Sequence, residues 1–394
     1  MLPALRPFQA GVGMFEWLDV LRAMLGKGVA EVVVGILALI AAKILAIIVR
    51  WARQVIDYMR RLARARSAIA RKKTETGNVE GDGIWLSQPA KYYESPANLL
   101  AIAQSKILVV ANAKGGVGKT TTAANIGAFL AEQLPRPVLL IDLDFQGTLS
   151  SMSVANRGWV PPAGTDSKAT QLISGDSKAP QIAGAERQAE GQPNLRLIPS
   201  YYDLAQAENR IMIEWLIGDA KDDVRFRLAK VLHDPVVRNA FSLIIIDCAP
   251  RFTTSTIQAL AAGTHLLIPT ILDDPSTEAV VTFVQQVEAF RGAGICHNIK
   301  YIGVSCSLRH TGNVDQPLDR LKDRLAEIHN PNSVGPLVDV LPENTFLPQS
   351  VRFSNAVSQG GIAYVVMGGS SGARVIKSKI KALAEFVRMR MSLP

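Results

Sequence analysis

The chain has 394 residues, of which 48% are hydrophobic and 20% are charged, and this composition excludes a wholly disordered protein. The net charge of +9 at pH 7 is concentrated between positions 50 and 73, which hold nine Lys and Arg residues and one Asp. Three widely spaced cysteines without a CxxC pattern exclude a disulfide framework and argue against a Cys/His metal site. Cys248, Cys296 and Cys306 lie in apolar contexts, which predicts reduced core thiols of a cytoplasmic domain.

The first hydrophobic feature is the apolar run from Val29 to Val49. Its part from Val32 to Val49 carries one charge, Lys43, and as a helix it would reach ~27 Å, about the thickness of the hydrocarbon core. The run starts late and lacks a small-residue cleavage site, which disfavours a signal peptide. It predicts a spanning helix at about residues 29–49, with a buried or interfacial helix as the alternative.

Basic residues dominate the flank on the C-terminal side of this run. Only Arg6, Arg22 and Lys27 precede it, so the positive-inside rule places the chain after residue 50 in the cytoplasm. Residues 50–73 predict a basic juxtamembrane helix that suits anionic lipid headgroups, with DNA phosphates as a second target and a topology signal as the simpler alternative. We therefore expect residues 1–73 to anchor the protein in the inner (cytoplasmic) membrane by a single pass.

Residues 74–103 are rich in Gly and Pro, which predicts a linker to a folded domain at 104–394. The segment IWLSQPAKYY within it, Ile84–Tyr93, is too aromatic for a pure spacer. It is a candidate for docking on the folded domain.

The most informative stretch is Lys106–Thr121, KILVVANAKGGVGKTT. Ile107–Ala111 predicts a buried strand, and the residues after the glycine-rich turn predict a helix. Inward-turned amides, a helix N-terminus and Lys119 together form a phosphate cradle, and a threonine hydroxyl after the lysine can hold Mg²⁺. The candidate nucleotide-binding residues are Gly115, Gly116, Val117, Gly118, Lys119, Thr120 and Thr121.

Apolar runs alternate with helical patterns along the rest of the chain. Pro137–Asp144 and Phe241–Asp247 predict buried strands that end in aspartate, and further strands are predicted at 194–200, 263–271 and 301–305. This alternation predicts an α/β fold with a doubly wound, mostly parallel sheet. Such sheets bind ligands beyond the carboxyl ends of their strands, where Lys119, Asp144 and Asp247 would meet.

The pattern K-G-G-x-G-K-T-T at Lys114–Thr121 resembles the deviant P-loop of the ParA/MinD ATPases. The resemblance extends over about residues 104–390 and includes the sequences DLDFQG at Asp142–Gly147 and DCAP at Asp247–Pro250. Ala249 is a mild departure, since the family usually has proline there. The resemblance implies a P-loop NTPase fold, ATP and Mg²⁺ as cofactors, and a homodimer formed around ATP.

The resemblance also implies roles for individual residues. In the family the early lysine, here Lys114, reaches the nucleotide of the other subunit, and the second aspartate, here Asp144, places the attacking water. Lys119 would bind the phosphates, and Thr120 and Asp247 would hold Mg²⁺. We expect a membrane-tethered ATPase that works as an ATP-dimerised switch, recruits or positions an unidentified protein partner, and turns over slowly without it.

Two other functions remain open at this point. A bacterial tyrosine autokinase also joins a transmembrane segment to a P-loop, but no tyrosine follows Tyr364. A DNA-partitioning ATPase would bind nonspecific DNA through basic segments such as residues 376–391. We expect that segment to be the last helix of the domain, with its lysines in solvent, so nucleic acid is a possible but not the favoured partner.

Overall fold

In a computed structural model, the structure describes residues 19, 22–24, 26–75, 83–86, 105–153, 164–184, 188–189, 191–308, 315–328, 336–359 and 361–394. The chain divides into two units, Met1–Arg66 and Ser67–Pro394. Most of the predicted linker at 74–103 lies outside the described residues.

Helix α1, Lys27–Glu75, is 49 residues long and joins the predicted spanning segment and the basic segment without interruption. Its apolar side chains are exposed, including Val32, Leu39 and Ile47 at 61%, 65% and 66%. This exposure disfavours the alternative of a buried helix. By length and composition alone, α1 could cross a membrane, and it is the one such helix in the described part of the chain.

The second unit contains a sheet of eight strands within the described residues, in the order β3-β4-β2-β5-β1-β6-β7-β8. All neighbouring pairs are parallel except the short β3, which runs antiparallel to β4. The strands are β1 (Ile107–Val110), β2 (Val138–Leu143), β3 (Gln188–Ala189), β4 (Gln192–Ile198), β5 (Leu243–Cys248), β6 (His265–Ile271), β7 (Lys300–Leu308) and β8 (Leu347–Pro348).

Helices cover both faces of this sheet, because successive strand residues point to opposite sides. In β1, Ile107 and Val109 belong to one apolar cluster, and Leu108 and Val110 belong to the other. The helices are α2 (Lys119–Gln133), α3 (Thr148–Ser153), α4 (Lys168–Ser174), α5 (Ala179–Ala183), α6 (Asp203–Ile217), α7 (Arg227–Leu232), α8 (Pro235–Ala240), α9 (Thr254–Ala262), α10 (Asp274–Gly292), α11 (Asp315–Ala326), α12 (Val351–Ser358), α13 (Ala363–Val366) and α14 (Ser371–Arg390). The predicted doubly wound, mostly parallel sheet is thereby confirmed.

The strand order places three carboxyl ends side by side. Strand β5 lies between β2 and β1, and Asp247 is in register with Asp142 on one side and Val110 on the other. Every residue of β5 is buried, as expected for a central strand of a covered parallel sheet. The loops after β1, β2 and β5 therefore begin at one edge of the sheet.

Helix α14 packs an apolar stripe against the second unit, with Ile376, Ile380, Leu383 and Val387 buried. Its basic residues include the exposed Lys381. This is the arrangement expected for a last helix of the domain. The three cysteines are free and buried, in agreement with the prediction of reduced core thiols.

Candidate functional site

The glycine-rich loop connects β1 to α2 at the sheet edge. Gly116 and Gly118 have φ angles of +73° and +88°, in the left-handed region that side chains disfavour. Gly115 and Gly116 are exposed, so the backbone of the loop can be approached. Helix α2 begins at Lys119, and the first turn of a helix leaves N–H groups without intrahelical partners. The loop and the helix start therefore present donors to an anion.

Lys119 is folded into this loop, with only 7% of its surface exposed. Its Nζ donates a hydrogen bond to the carbonyl oxygen of Lys114 at 2.8 Å. Burial lowers the pKa of Lys119, and the nearby carboxylates of Asp247 and Asp144 offset part of that effect. An anionic ligand would compensate the buried positive charge.

Asp247, at the end of β5, is a buried carboxylate without a hydrogen-bond partner. Neither of its oxygens has one among the described residues. Burial and then the neighbouring Asp142 raise the pKa of Asp247 well above its ordinary value. The Thr120 hydroxyl is near enough to favour the ionised form, yet it completes no hydrogen bond to the carboxylate. Such an unpaired carboxylate beside a hydroxyl fits a divalent cation.

A metal ion here would need ligands from outside the protein. No group of three or more His, Cys, Asp or Glu side chains in the described ranges could hold one. Mg²⁺ is commonly bound through one or two protein oxygens together with phosphate oxygens and water. The pair of Thr120 and Asp247 matches that mode of binding and not a preformed protein cage.

Asp142 organises the loop that carries Asp144. It is fully buried and accepts hydrogen bonds from the Asp144 amide at 3.1 Å, the Ser150 amide at 2.8 Å and Ser150 Oγ at 2.7 Å. Burial raises the pKa of Asp142 to about 6, although these hydrogen bonds favour the ionised form. Asp144 is half-buried, and its Oδ1 accepts from the Gln146 amide at 3.0 Å. The sequence showed the paired aspartates, but it did not assign this supporting role to Asp142.

Lys114 is bound by residues of its own chain. Its Nζ donates to Asp273 Oδ1 at 3.1 Å and to Ser276 Oγ at 2.6 Å. Asp273 is the N-cap of α10. Burial would raise its pKa, but the hydrogen bonds from Ser276 and Lys114 outweigh burial and lower it. The residues Asp273-Asp274-Pro275-Ser276 suit a helix start, but nothing in their sequence indicated an ion pair with the P-loop.

Glu208 on α6 was also missed by sequence reasoning. Its carboxylate accepts hydrogen bonds from the Ser255 amide at 3.2 Å and from Ser255 Oγ, at the start of α9. Burial raises the pKa of Glu208, and the Ser255 hydroxyl offsets part of this. Because α9 follows the loop that comes directly after β5, Glu208 supports the segment that leads away from Asp247.

The chain is similar in sequence to several known proteins. The AAA domain family matches residues 105–300. An uncharacterized protein of Mycobacterium tuberculosis is 31% identical over 213 residues, which are 54% of this chain and 61% of that relative. The chain thus matches less than two thirds of the length of this relative. The chromosome-partitioning ATPase Soj of Treponema pallidum is 28% identical over 255 residues, 65% of this chain and 87% of Soj.

A solved structure shares the fold. The ATP complex of a McdA variant from Cyanothece has a TM-score of 0.56 at 21% identity, covering 72% of this chain and 97% of McdA. The sheet order, the domain match and the similarity to Soj agree with the resemblance first seen in the P-loop. The folded domain thus resembles the ParA/MinD P-loop ATPases in sequence, and McdA in fold.

Proposed function

We propose that this protein is a membrane-tethered, Mg²⁺-dependent ATPase that ATP brings together as a homodimer, so that nucleotide controls which partner protein it recruits or positions. The observation that carries the proposal is the buried, unpaired carboxylate of Asp247 beside Thr120, next to a lysine folded into a glycine-rich loop. Burying these groups is costly without a ligand. Mg²⁺ and a triphosphate would satisfy them together.

Each residue then has a defined task. Lys119 and the amides of the loop bind the phosphates, and Thr120 and Asp247 hold the Mg²⁺, which neutralises charge on the phosphate oxygens when bound. Asp144, fixed by the hydrogen bond from its amide to Asp142, orients the water that attacks the terminal phosphate. Lys114 completes the site of the other subunit after it leaves Asp273.

The tether is the second part of the proposal. Helix α1 exposes a continuous apolar surface and is long enough to cross the hydrocarbon core. The nine basic residues between positions 50 and 73 favour a cytoplasmic location for the ATPase domain. In this arrangement the ATPase does not leave the membrane between cycles, so ATP changes the partner it binds and not its location.

The test uses the full-length chain in detergent micelles. A fluorescent ATP analogue should bind saturably and more tightly with Mg²⁺, and a non-hydrolysable analogue should convert monomers to dimers in light-scattering measurements. A protein that remains monomeric with bound nucleotide would contradict the switch. Alkaline carbonate washing of membranes tests the tether separately, because an integral protein stays in the membrane fraction.

Binding to nonspecific DNA is a second candidate function. It is favoured by the exposed basic residues of α14 and by the similarity to Soj, which is named a chromosome-partitioning ATPase. DNA binding would appear as retention on DNA that weakens steeply with salt. Retention that is absent at low salt would exclude it.

A further inference from the structure

Residues 83–86 of the linker are packed against the apolar core of the second unit. Trp85 is 2% exposed, and its ring centroid lies 6.4 Å from that of Trp215 on α6, with 27° between the planes. Ile84 and Leu86, on either side, pack against the same apolar cluster. Since a buried tryptophan removes a large apolar surface from water, the linker is attached to the core at this point.

Arg225 closes over this contact. Its Nη1 donates to the carbonyl oxygen of Trp85 at 3.1 Å, and its Cζ lies 4.6 Å from the ring centroid of Trp215. Asp223 fixes the guanidinium through Nε at 3.0 Å and Nη2 at 2.8 Å. We name Trp215, Asp223 and Arg225 the tryptophan socket. It holds both the side chain and the backbone of the linker.

The socket and the candidate nucleotide site share one helix. Trp215 lies in the last turn of α6, and Glu208 lies two turns earlier on the same buried face. Besides the Glu208 carboxylate bound by Ser255, the carbonyl oxygen of Glu208 accepts from Thr254 Oγ1 at 3.0 Å. Ser255 Oγ also lies 3.4 Å from the carbonyl oxygen of Leu143, just before Asp144. Helix α6 therefore contacts the linker in its last turn and, through Glu208 near its middle, the start of α9, where Ser255 lies next to the segment before Asp144.

We propose that the tryptophan socket is a docking site for the chain's own linker, and that docking strengthens nucleotide binding through α6. The physical reason is preorganisation. With Trp85 in place, α6 is held both in its last turn and at Glu208, and the start of α9 is already ordered when ATP arrives. Linkage then requires that ATP stabilise the docked linker in return. The coupling rests on the proposed ATP binding, whereas the docking itself does not.

Docking also sets the length of the tether. With Trp85 docked, residues 76–82 connect α1 to the core, a reach of at most ~25 Å at ~3.5 Å per residue. Without docking, residues 76–104 form the connection, and the limit rises to ~100 Å at the same rise per residue. Docking in the tryptophan socket thus limits the distance from α1 at which the core can meet a second copy or a partner.

The test compares three variants of the full-length protein in detergent micelles. Trp85→Ala empties the socket, Trp85→Phe keeps an aromatic ring, and Trp51→Ala is the matched control because Trp51 lies on α1 and is 66% exposed. The first readout is the rate of trypsin cleavage after Lys91, measured by mass spectrometry. We expect about fivefold faster cleavage for Trp85→Ala, a smaller increase for Trp85→Phe and no change for Trp51→Ala.

The second readout is the affinity for a fluorescent ATP analogue with Mg²⁺. Trp85→Ala should bind it several-fold more weakly, and saturating nucleotide should slow cleavage of the wild type but not of this variant. Equal cleavage of wild type and Trp85→Ala would overturn the docking, and faster cleavage with unchanged affinity would overturn the coupling. If Trp85→Ala does not fold by circular dichroism, Arg225→Lys replaces it, since a lysine cannot form the same fork. A wild type that binds no ATP would refute the proposed function, while the cleavage rates would still decide on docking.

Discussion

The apolar residues of α1 and of β5 have similar side chains but opposite surroundings. Ile244, Ile245 and Ile246 of β5 are at most 1% exposed, whereas Leu39 and Leu45 of α1 are 65% and 62% exposed. The sheet is covered on both faces by its own helices, so its burial is complete within one chain. A continuous apolar surface on a single helix needs another covering, and the length of α1 suits a bilayer. The comparison shows that apolar composition alone does not say which solvent a segment meets.

The largest expected effect is on the membrane insertion of α1. Leu39→Lys places a charge near the middle of the apolar run and should cost ~3 kcal/mol of membrane insertion. Met59→Lys, which adds the same charge beyond the run on the basic part of α1, is the matched control. Carbonate-washed membranes should retain the wild type and Met59→Lys but lose much of Leu39→Lys. Equal retention of all three would show that α1 does not depend on a hydrocarbon environment.

The next effect concerns the buried cation of the core. Lys119→Ala removes the charge and the hydrogen bonds offered to the phosphates, so ATP affinity should fall about 100-fold. Lys168→Ala changes an exposed lysine on α4 and should leave affinity unchanged. Calorimetric titration with ATP and Mg²⁺ measures both. An unaltered ATP affinity in Lys119→Ala would show that this lysine of the P-loop does not bind the phosphates.

Asp247→Asn separates two effects of this carboxylate: the cost of burying it in the core and its contribution to binding ATP with Mg²⁺. The Mg²⁺ enhancement of ATP affinity should fall about tenfold with the loss of the anionic ligand. Without nucleotide, the variant should unfold at the same or a higher temperature, since a buried carboxylate without partners is removed.

The raised pKa of Asp247 predicts how the stability of the nucleotide-free protein changes with pH. The pKa of Asp247 is raised in the folded state, so the folded state binds this proton more tightly than the unfolded chain. The stability contributed by protonation is present below the ordinary carboxyl pKa and is lost as pH rises through the raised one. Thermal unfolding of Asp247→Asn should lack that loss, and identical pH profiles would contradict the assignment.

The smallest effect concerns the ion pair of Lys114 with Asp273, whose side chains are 29% and 23% exposed. Asp273→Asn keeps a good N-cap for α10 but releases Lys114, and it should raise ATP-dependent dimerisation about threefold. Lys114→Ala should lower dimerisation instead. Light scattering of both variants with a non-hydrolysable ATP analogue gives the comparison. A dimer that forms equally well in Lys114→Ala would reject the cross-subunit role.

Much of the fold could be predicted from the sequence because its signals are local. The apolar runs at β1, β2 and β5 are buried on both faces, so they stand out as continuous hydrophobic stretches. The glycines and lysines of the P-loop form one contiguous motif, and this motif located the candidate nucleotide site in the sequence. The positions of Asp142, Asp144 and Asp247 could be inferred from strand ends in a parallel sheet.

The remaining features depend on packing between distant segments, which periodicity does not encode. Lys114 meets Asp273 across 159 positions, and Glu208 meets Ser255 across 47. The aromatic residues of Ile84–Tyr93 indicated docking, but the sequence could not identify Trp215 and Arg225 as the partners of Trp85. Those partners exist only because α6 and the turn that contains Arg225 pack together in the folded core.

Binding of ATP and Mg²⁺ at the P-loop is tested by titrating the full-length protein in lipid nanodiscs with a fluorescent ATP analogue, with and without Mg²⁺. We predict saturable binding that is at least about tenfold tighter with Mg²⁺, because Asp247 and Thr120 then act through the metal. Binding that is absent, or that is the same with and without Mg²⁺, would contradict the assignment of this site.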